Sequence, residues 1–111
     1  MAGSRAHLGY VFIGPQKMGL VADLVRGKRA HDALNTLKFV NKRGAKILSK
    51  TIQSAIANAD QKGNVDLENL YVKTVKVNAG MMHYRVRPRA RGSAAYIRKK
   101  TSHLTVELEE K

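Results

Sequence analysis

The most regular segment of the chain is residues 41–60, which read NKRGAKILSKTIQSAIANAD. Its apolar residues recur at the period of an α-helix and form one stripe: Ala45, Leu48, Ile52, Ala55, Ile56 and Ala59. Lys42, Lys46 and Lys50 lie four residues apart on another face, and Asn41 suits the N-cap. The pattern predicts an amphipathic helix whose small apolar residues let it lie close against a sheet.

Two shorter helices and a strand are predicted before this helix. Residues 6–13 are rich in Leu, Val, Phe and Ile, which predicts a strand, and Gly14 and Pro15 end it. Proline suits the first turn of a helix over 15–26, and Gly27 suits a left-handed helix end. The second helix is expected at 30–38, where apolar residues have helical spacing: Ala30, Ala33, Leu34 and Leu37.

Two further strands are predicted after the long helix. Residues 103–109 alternate cleanly between apolar and polar side chains. Residues 70–78 alternate imperfectly: Lys73 and Lys76 would lie on opposite faces, so we expect an irregularity between them. The predicted fold is therefore α+β, with three helices packed on a small antiparallel three-stranded sheet, in a single domain over residues 1–111.

The charge balance points to a polyanionic partner. The 111 residues include 21 Lys and Arg against 8 Asp and Glu, for a net charge of +13. Such self-repulsion destabilises a small domain unless a polyanion neutralises it, and a pI of 10.4 is typical of nucleic-acid binding. Cysteine is absent from the sequence, which excludes disulfides and thiolate metal sites. The apolar run at residues 8–13 is too short to span a membrane, so we expect a soluble, cytoplasmic protein.

The cations concentrate in a window without acids. Residues 69–106 contain no Asp or Glu. Four arginines in this window are spaced by two, which places them on one side of an extended chain: Arg85, Arg87, Arg89 and Arg91. Guanidinium groups aligned in this way can each donate a planar pair of hydrogen bonds to phosphate. This segment is therefore the first candidate for an RNA-binding element.

The same segment is expected to form a long basic β-hairpin over residues 80–100. Each of its strands would extend about 33 Å at about 3.3 Å per residue, whereas the rest of the chain should have a radius of gyration of about 12 Å. The hairpin should therefore project from a body formed by residues 1–79 and 101–111. Pro88 and Gly92 place its turn near the middle.

Five motifs along the chain resemble the large-subunit ribosomal protein L-twenty-two family, bacterial type. They are Pro15-Gln16-Lys17, residues 20–28 (LVADLVRGK), residues 54–59 (SAIANA), residues 88–92 (PRARG) and residues 101–106 (TSHLTV). The resemblance implies a structural constituent of the large ribosomal subunit, with its body packed on ribosomal RNA (rRNA). It also implies a hairpin that lines the nascent-peptide exit tunnel, with macrolide antibiotics binding near its tip.

The expected partners are large-subunit rRNA, other large-subunit ribosomal proteins and the nascent peptide, without a membrane or small-molecule substrate. The residues expected to bind rRNA are Lys17, Arg26, Lys28, Lys42, Arg43, Lys46, Lys50, Arg85, Arg87, Arg89, Arg91, Arg98, Lys99 and Lys100. Those expected at the tunnel-lining tip are His83, Tyr84, Arg85, Pro88, Arg89, Ala90, Arg91 and Gly92.

Some positions depart from the pattern of the family that the sequence resembles. Gly14 stands where a serine usually precedes the helix-opening proline, and Met81 stands where a proline usually follows the hairpin-entry glycine. Tyr84 and Ser93 occupy positions that are often basic. These departures concern the detailed shape and charge of the hairpin tip rather than the fold.

The alternative function is an architectural DNA-binding protein with a basic β-arm. A helix-turn-helix regulator fits less well, because the second helix is short and its exposed face is poor in basic residues. A salt-dependent preference for structured RNA over duplex DNA would distinguish the two nucleic-acid readings.

An enzyme is not expected, because no nucleophile, base and orienting group form a recognisable set. The four histidines, at positions 7, 31, 83 and 103, lack the spacing of metal ligands, so we expect neither a metal nor a cofactor. No leader segment is recognisable in the sequence, so we expect a bacterial rather than an organellar source.

Overall fold

The computed structural model describes residues 3–63, 66–80, 83–88 and 94–110, with the backbone alone described at 3, 10, 83–88 and 94–99. Its elements are β1 (Gly3–Val11), α1 (Pro15–Asp23), α2 (Ala30–Lys38), α3 (Arg43–Lys62), a 3-10 turn (Leu67–Asn69), β2 (Leu70–Ala79), β3 (His83–Pro88), β4 (Ala94–Lys99) and β5 (Ser102–Glu110). The three strands β1, β5 and β2 form an antiparallel sheet in that order, and β3 pairs with β4 in a separate antiparallel sheet. The predicted α+β class is confirmed.

The core lies between the helices and one face of the three-stranded sheet. Leu104, Val106 and Leu108 alternate along β5 and are almost fully buried, as predicted. The apolar stripe of α3 packs on this face, with all its members buried except the half-buried Ile56. A hydrogen bond of 2.7 Å from Ser4 Oγ to the carbonyl oxygen of Ala55 fixes β1 against α3.

Gly44 allows α1 and α3 to approach each other closely. A Cβ atom at this position would lie 3.2 Å from Met18 Sδ and 3.4 Å from Val21 Cγ2. Because the glycine has no side chain, the start of α3 can lie directly against the buried face of α1. This contact brings Lys17 on α1 near the cations at the start of α3.

The first helix ends earlier than its sequence pattern predicts. We expected it to reach Arg26, but it ends at Asp23, and residues 24–27 form turns. Gly27 has the predicted left-handed conformation, with φ of 80°. The Gly27 N–H donates to the carbonyl oxygen of Val72 across 3.0 Å. The Val72 N–H in turn donates to the carbonyl oxygen of Lys28 across 2.8 Å. Pairing with β2 therefore replaces the last helical turn.

The predicted cap of the third helix is wrong by one residue. The N-cap is Lys42, in an extended conformation and without a side-chain cap hydrogen bond, rather than Asn41. Because Arg43 is the first helical residue, Asn41 lies one residue before the N-cap. The N-cap is the position from which a side chain can accept a hydrogen bond from the backbone N–H groups of the first turn.

The irregularity expected in β2 is present, but it lies earlier than predicted. Val72 pairs with Leu108 and Thr74 pairs with Glu107, so one extra residue, Lys73, lies between two successive pairs. This β-bulge changes the alternation of the strand, and Lys73 and Lys76 are both exposed.

The protein is elongated, with principal extents of 65 × 25 × 17 Å. Its radius of gyration is 17.1 Å, whereas a compact domain of this length should have one of about 13 Å. This shape agrees with a hairpin that extends away from the core. The paired strands run from His83 opposite Lys99 to Pro88 opposite Ala94, and the turn predicted between Pro88 and Gly92 falls at residues 89–93, outside the described residues.

Candidate nucleic-acid interface

The acidic residues are concentrated at one end of the molecule. Six of the eight lie where α3 and β5 end and β2 begins: Asp60, Asp66, Glu68, Glu107, Glu109 and Glu110. The pairing of Leu70 with Glu110 and of Gly3 with Glu109 places the strand ends side by side. We call this part of the molecule the acidic end.

Two cations at the acidic end are paired with carboxylates. Arg5 forms an ion pair of 2.8 Å with Glu107, and Lys73 forms one of 3.2 Å with Glu109. The hydrogen bond and the charge of the Glu109 carboxylate raise the pKa of Lys73 above its ordinary value. These two cations are therefore poor candidates for phosphate contacts.

The opposite end of the body carries a basic cleft at the start of the hairpin. Its walls are the loop before α1, the start of α1, the start of α3 and the segments on either side of the β3–β4 hairpin. Four cations line it: Lys17, Lys42, Arg43 and Lys100. Of the described residues that line this cleft, none is acidic. We call it the hairpin-base cleft, and its volume is about 1490 Å³.

The cations of α3 continue from this cleft along the helix surface. Lys46 and Lys50 are exposed and lie one and two turns after Lys42. At 1.5 Å per residue the three ammonium groups start from backbone positions that span about 12 Å. The structure therefore joins six of the predicted cations into one basic surface: Lys17, Lys42, Arg43, Lys46, Lys50 and Lys100.

Arg26 and Lys28 lie elsewhere and have partners within the protein. The guanidinium of Arg26 donates to the carbonyl oxygen of Val75 from Nε at 3.3 Å and from Nη2 at 2.9 Å, and it forms an ion pair with Asp23. Lys28 Nζ donates to Thr36 Oγ1 across 3.3 Å. Both side chains are exposed, but that of Arg26 also has a clear role in holding α1 on β2.

The remaining predicted residues belong to the hairpin. Arg85 and Arg87 are two positions apart in β3, opposite Ile97 and Ala95 of β4. His83, Tyr84 and Pro88 are also in β3, and Arg98 and Lys99 are in β4. The predicted tip residues Arg89, Ala90, Arg91 and Gly92 lie outside the described residues.

Sequence reasoning missed two apolar side chains in the hairpin-base cleft. Phe12 is 55% exposed and Leu20 is 58% exposed, and both line the cleft beside its cations. The sequence pattern predicts a strand over residues 6–13, which includes Phe12, but β1 ends at Val11. The signal available in the sequence was its position two residues before Gly14 and Pro15, which favour the end of a strand.

The described histidines do not form a metal centre. His7 and His103 stack with ring centroids 5.9 Å apart, and His7 Nδ1 lies 2.9 Å from Thr105 Oγ1. Over the described part of the chain, His, Cys, Asp and Glu nowhere gather in a group of three that could hold a metal. The helices found there are also too short or too polar to cross a membrane.

A small α+β protein with a long hairpin and a charge-segregated surface belongs with the structural RNA-binding proteins. Residues 6–109 match the family described as Ribosomal protein L22p/L17e. The chain belongs to this family, which confirms the predicted resemblance and the non-enzymatic class of the protein.

Curated bacterial relatives resemble it over almost their whole length. The large ribosomal subunit protein uL22 of Citrifermentans bemidjiense is 52% identical over 108 residues, which are 97% of both chains. The protein of the same name from Bdellovibrio bacteriovorus is 51% identical over 107 residues, covering 96% of this chain and 97% of the relative. That of Caldicellulosiruptor saccharolyticus is 48% identical over 108 residues, covering 97% of this chain and 88% of the relative.

Proposed function

We propose that this protein is a structural constituent of the large subunit of cytoplasmic ribosomes, where its body binds rRNA and its hairpin lines the nascent-peptide exit tunnel. Family membership supports the first part. The observation that carries the binding mode is the separation of charge. Six of the eight acids gather at one end, and at the other end a basic surface, with no acid among its described lining residues, adjoins the hairpin.

The rRNA-binding surface of the body consists of the hairpin-base cleft and the exposed face of α3. Lys17, Lys42, Arg43 and Lys100 line the cleft, and Lys46 and Lys50 extend the surface along the helix. Each ammonium or guanidinium group that meets a phosphate releases a counterion, so such a surface binds RNA with strong salt dependence. Arg26 and Lys28 add contacts at the α1–α2 connection.

The hairpin carries the second part of the proposal. The expected arm covers residues 80–100 of the single domain. The paired strands β3 and β4 and the 65 Å length of the whole protein support an arm that is long enough to extend into a tunnel wall. Arg85, Arg87, Arg89, Arg91, Arg98 and Lys99 would hold the arm on phosphates. Tyr84 would stack on a base or face the lumen, where the nascent peptide and macrolide antibiotics pass.

Sedimentation tests the assignment to the particle. An epitope-tagged chain is expressed in bacterial cells, and extracts are separated on sucrose gradients at low magnesium concentration, which splits the subunits. The tag is expected in the large-subunit fractions. Recovery only in free or small-subunit fractions would show that the chain is not a constituent of the large subunit.

A binding competition tests the recognition of RNA. Because the hairpin-base cleft holds cations and exposed apolar groups together, the purified chain should prefer structured large-subunit rRNA fragments to duplex DNA of equal charge. Equal affinity for both at every salt concentration would instead support the architectural DNA-binding alternative.

A further inference from the structure

The hairpin-base cleft combines four cations with two exposed apolar side chains. Phe12 exposes 55% and Leu20 exposes 58% of its surface there. A cleft that served only to attract phosphate would need cations alone. The apolar groups therefore indicate a ligand that has an apolar face as well as negative charge.

The backbone on either side of Phe12 is held in place. Val11 before it is buried in β1, and the Ile13 N–H donates to the Val11 carbonyl oxygen across 2.8 Å. The buried Ser102 donates from Oγ to the Ile13 carbonyl oxygen across 2.8 Å. Because this turn is tied to the start of β5, the aromatic ring is presented from a fixed support.

The charge and size of the cleft favour a segment of a polymer. Its volume of about 1490 Å³ exceeds the range of about 300–1,000 Å³ that is usual for small-molecule pockets. The cations stand on separate elements, with Lys17 on α1, Lys42 and Arg43 at the start of α3, and Lys100 after β4. This arrangement suits phosphates that follow one another along a strand.

We propose that the hairpin-base cleft binds an unpaired nucleotide of RNA, whose base stacks on Phe12 while the neighbouring phosphates contact the cations of the cleft. Single-stranded RNA is recognised in this way, because bases released from a helix stack on aromatic side chains. Leu20 adds a second apolar contact to the base. An acidic protein segment is the alternative ligand, and the crosslinking measurement below distinguishes it from RNA. This inference rests on the proposed function and specifies where on the body an rRNA base is bound.

Affinity measurements on matched variants test the site. Phe12→Ala in the full chain is expected to weaken binding to a large-subunit rRNA fragment by about fivefold to a hundredfold, the usual loss for one base stack. The slope of log K against log salt should stay unchanged, because no charge is removed. Phe12→Tyr should retain the affinity. Phe39→Ala, at a side chain that is 90% exposed outside the cleft, should also retain it.

Two results would overturn the inference. One is wild-type affinity for Phe12→Ala, and the other is an equal loss for Phe12→Ala and Phe39→Ala. A photoreactive phenylalanine at position 12 gives an independent measurement in assembled particles, should Phe12→Ala disturb the fold. Crosslinks from it to RNA support the site, and crosslinks to protein alone overturn it.

These outcomes are separable from a failure of the proposed function. If the wild-type chain sediments outside the large subunit and binds rRNA no better than duplex DNA, the proposed function fails. If the wild type binds rRNA in the particle and the Phe12 variants bind equally well, only the nucleotide site fails.

Discussion

The backbone N–H of Gly80 donates to the carbonyl oxygen of Thr101 across 2.9 Å, and this bond ends the ladder between β2 and β5. Two residues then lead from Gly80 to His83, but only one leads from Thr101 to Lys99, where the pairing of β3 with β4 begins. The hairpin is therefore joined to the body sheet with an offset of one residue. The Gly80–Thr101 pair is the last fixed point before this offset.

Gly80→Ala should destabilise the protein because there is no room for a side chain at this joint. A Cβ atom would lie 2.5 Å from Thr101 Oγ1 and 3.3 Å from the Thr101 carbonyl carbon. We expect the free energy of unfolding, measured by urea denaturation, to fall by about 1–3 kcal/mol. Gly19→Ala is the matched control, since no atom lies within 4 Å of that Cβ and alanine favours a helix interior. A double-mutant cycle with Thr101→Ala should show recovery, and strict additivity would contradict the steric cause.

Removal of the hairpin should leave a folded body. Among the residues whose side chains the structure describes, every member of the buried core cluster lies at or before Val75 or at or after Leu104. Replacing residues 81–100 with Asn-Gly would connect Gly80 and Thr101 by a two-residue turn that suits an antiparallel pair. The variant should retain its helical circular dichroism and a cooperative thermal transition. A broad, non-cooperative melt would show that the hairpin contributes to the core.

The α3 cations should account for a measurable part of the salt dependence. If about eight cations neutralise phosphates, log K for an rRNA fragment falls with log salt at a slope of about −5 to −7. Replacing Lys42, Lys46 and Lys50 with glutamine should reduce the size of the slope by about 2 to 3. The control replaces Arg5 and Lys73, which are paired with Glu107 and Glu109, and should change it little. An equal reduction in both variants would mean that total charge, rather than this surface, governs binding.

Arg26→Ala should affect the fold as well as RNA binding. The change removes two hydrogen bonds to the Val75 carbonyl oxygen and the ion pair with Asp23. Because the side chain is partly exposed, we expect a loss of about 1–2 kcal/mol in the free energy of unfolding. Lys28→Ala should change this free energy by less than about 0.5 kcal/mol. Equal stability of the two variants would show that the Val75 hydrogen bonds do not stabilise the α1–β2 contact.

The tip of the hairpin should be reachable from the tunnel lumen. A photoreactive residue at position 84 or 90 is expected to crosslink to a stalled nascent chain, and the same probe at Lys62, near the acidic end, is not. Deleting a few residues around Tyr84 should leave assembly intact but change macrolide sensitivity. Crosslinks from position 62 alone would mean that the hairpin points away from the tunnel.

The helices and strands whose apolar residues recur at regular spacing were predictable from the sequence. The alternation of Leu104, Val106 and Leu108 and the stripe from Ala45 to Ala59 each reflect a single buried face, and both predictions are confirmed. The end of α1 was not predictable, because it depends on hydrogen bonds between Gly27, Lys28 and the distant Val72. Helix propensity is a local property of the sequence and does not depend on Val72.

The residues of the candidate site were likewise predictable only in part. A count of charges identifies the basic segment, but it does not tell Lys73, which is paired with Glu109, from Lys46 on the exposed face of α3. The sequence pattern predicts Phe12 in an apolar strand. Its exposure could not be predicted, because it depends on where β1 ends and on which elements surround the turn. Pairs formed between distant residues, such as Arg5 and Glu107, therefore decide which cations remain for a partner.

The separation of acids from the basic surface also affects how the protein approaches its partner. Six of the eight acids lie at one end and the hairpin-base cleft lies at the other, so the charge distribution should give the body an electric dipole in addition to its net charge. In the field of a polyanion this dipole experiences a torque as well as an attraction, and such steering raises association rates at low ionic strength. We therefore expect the protein to turn as it approaches a polyanion, with the hairpin-base cleft leading and the acidic end trailing.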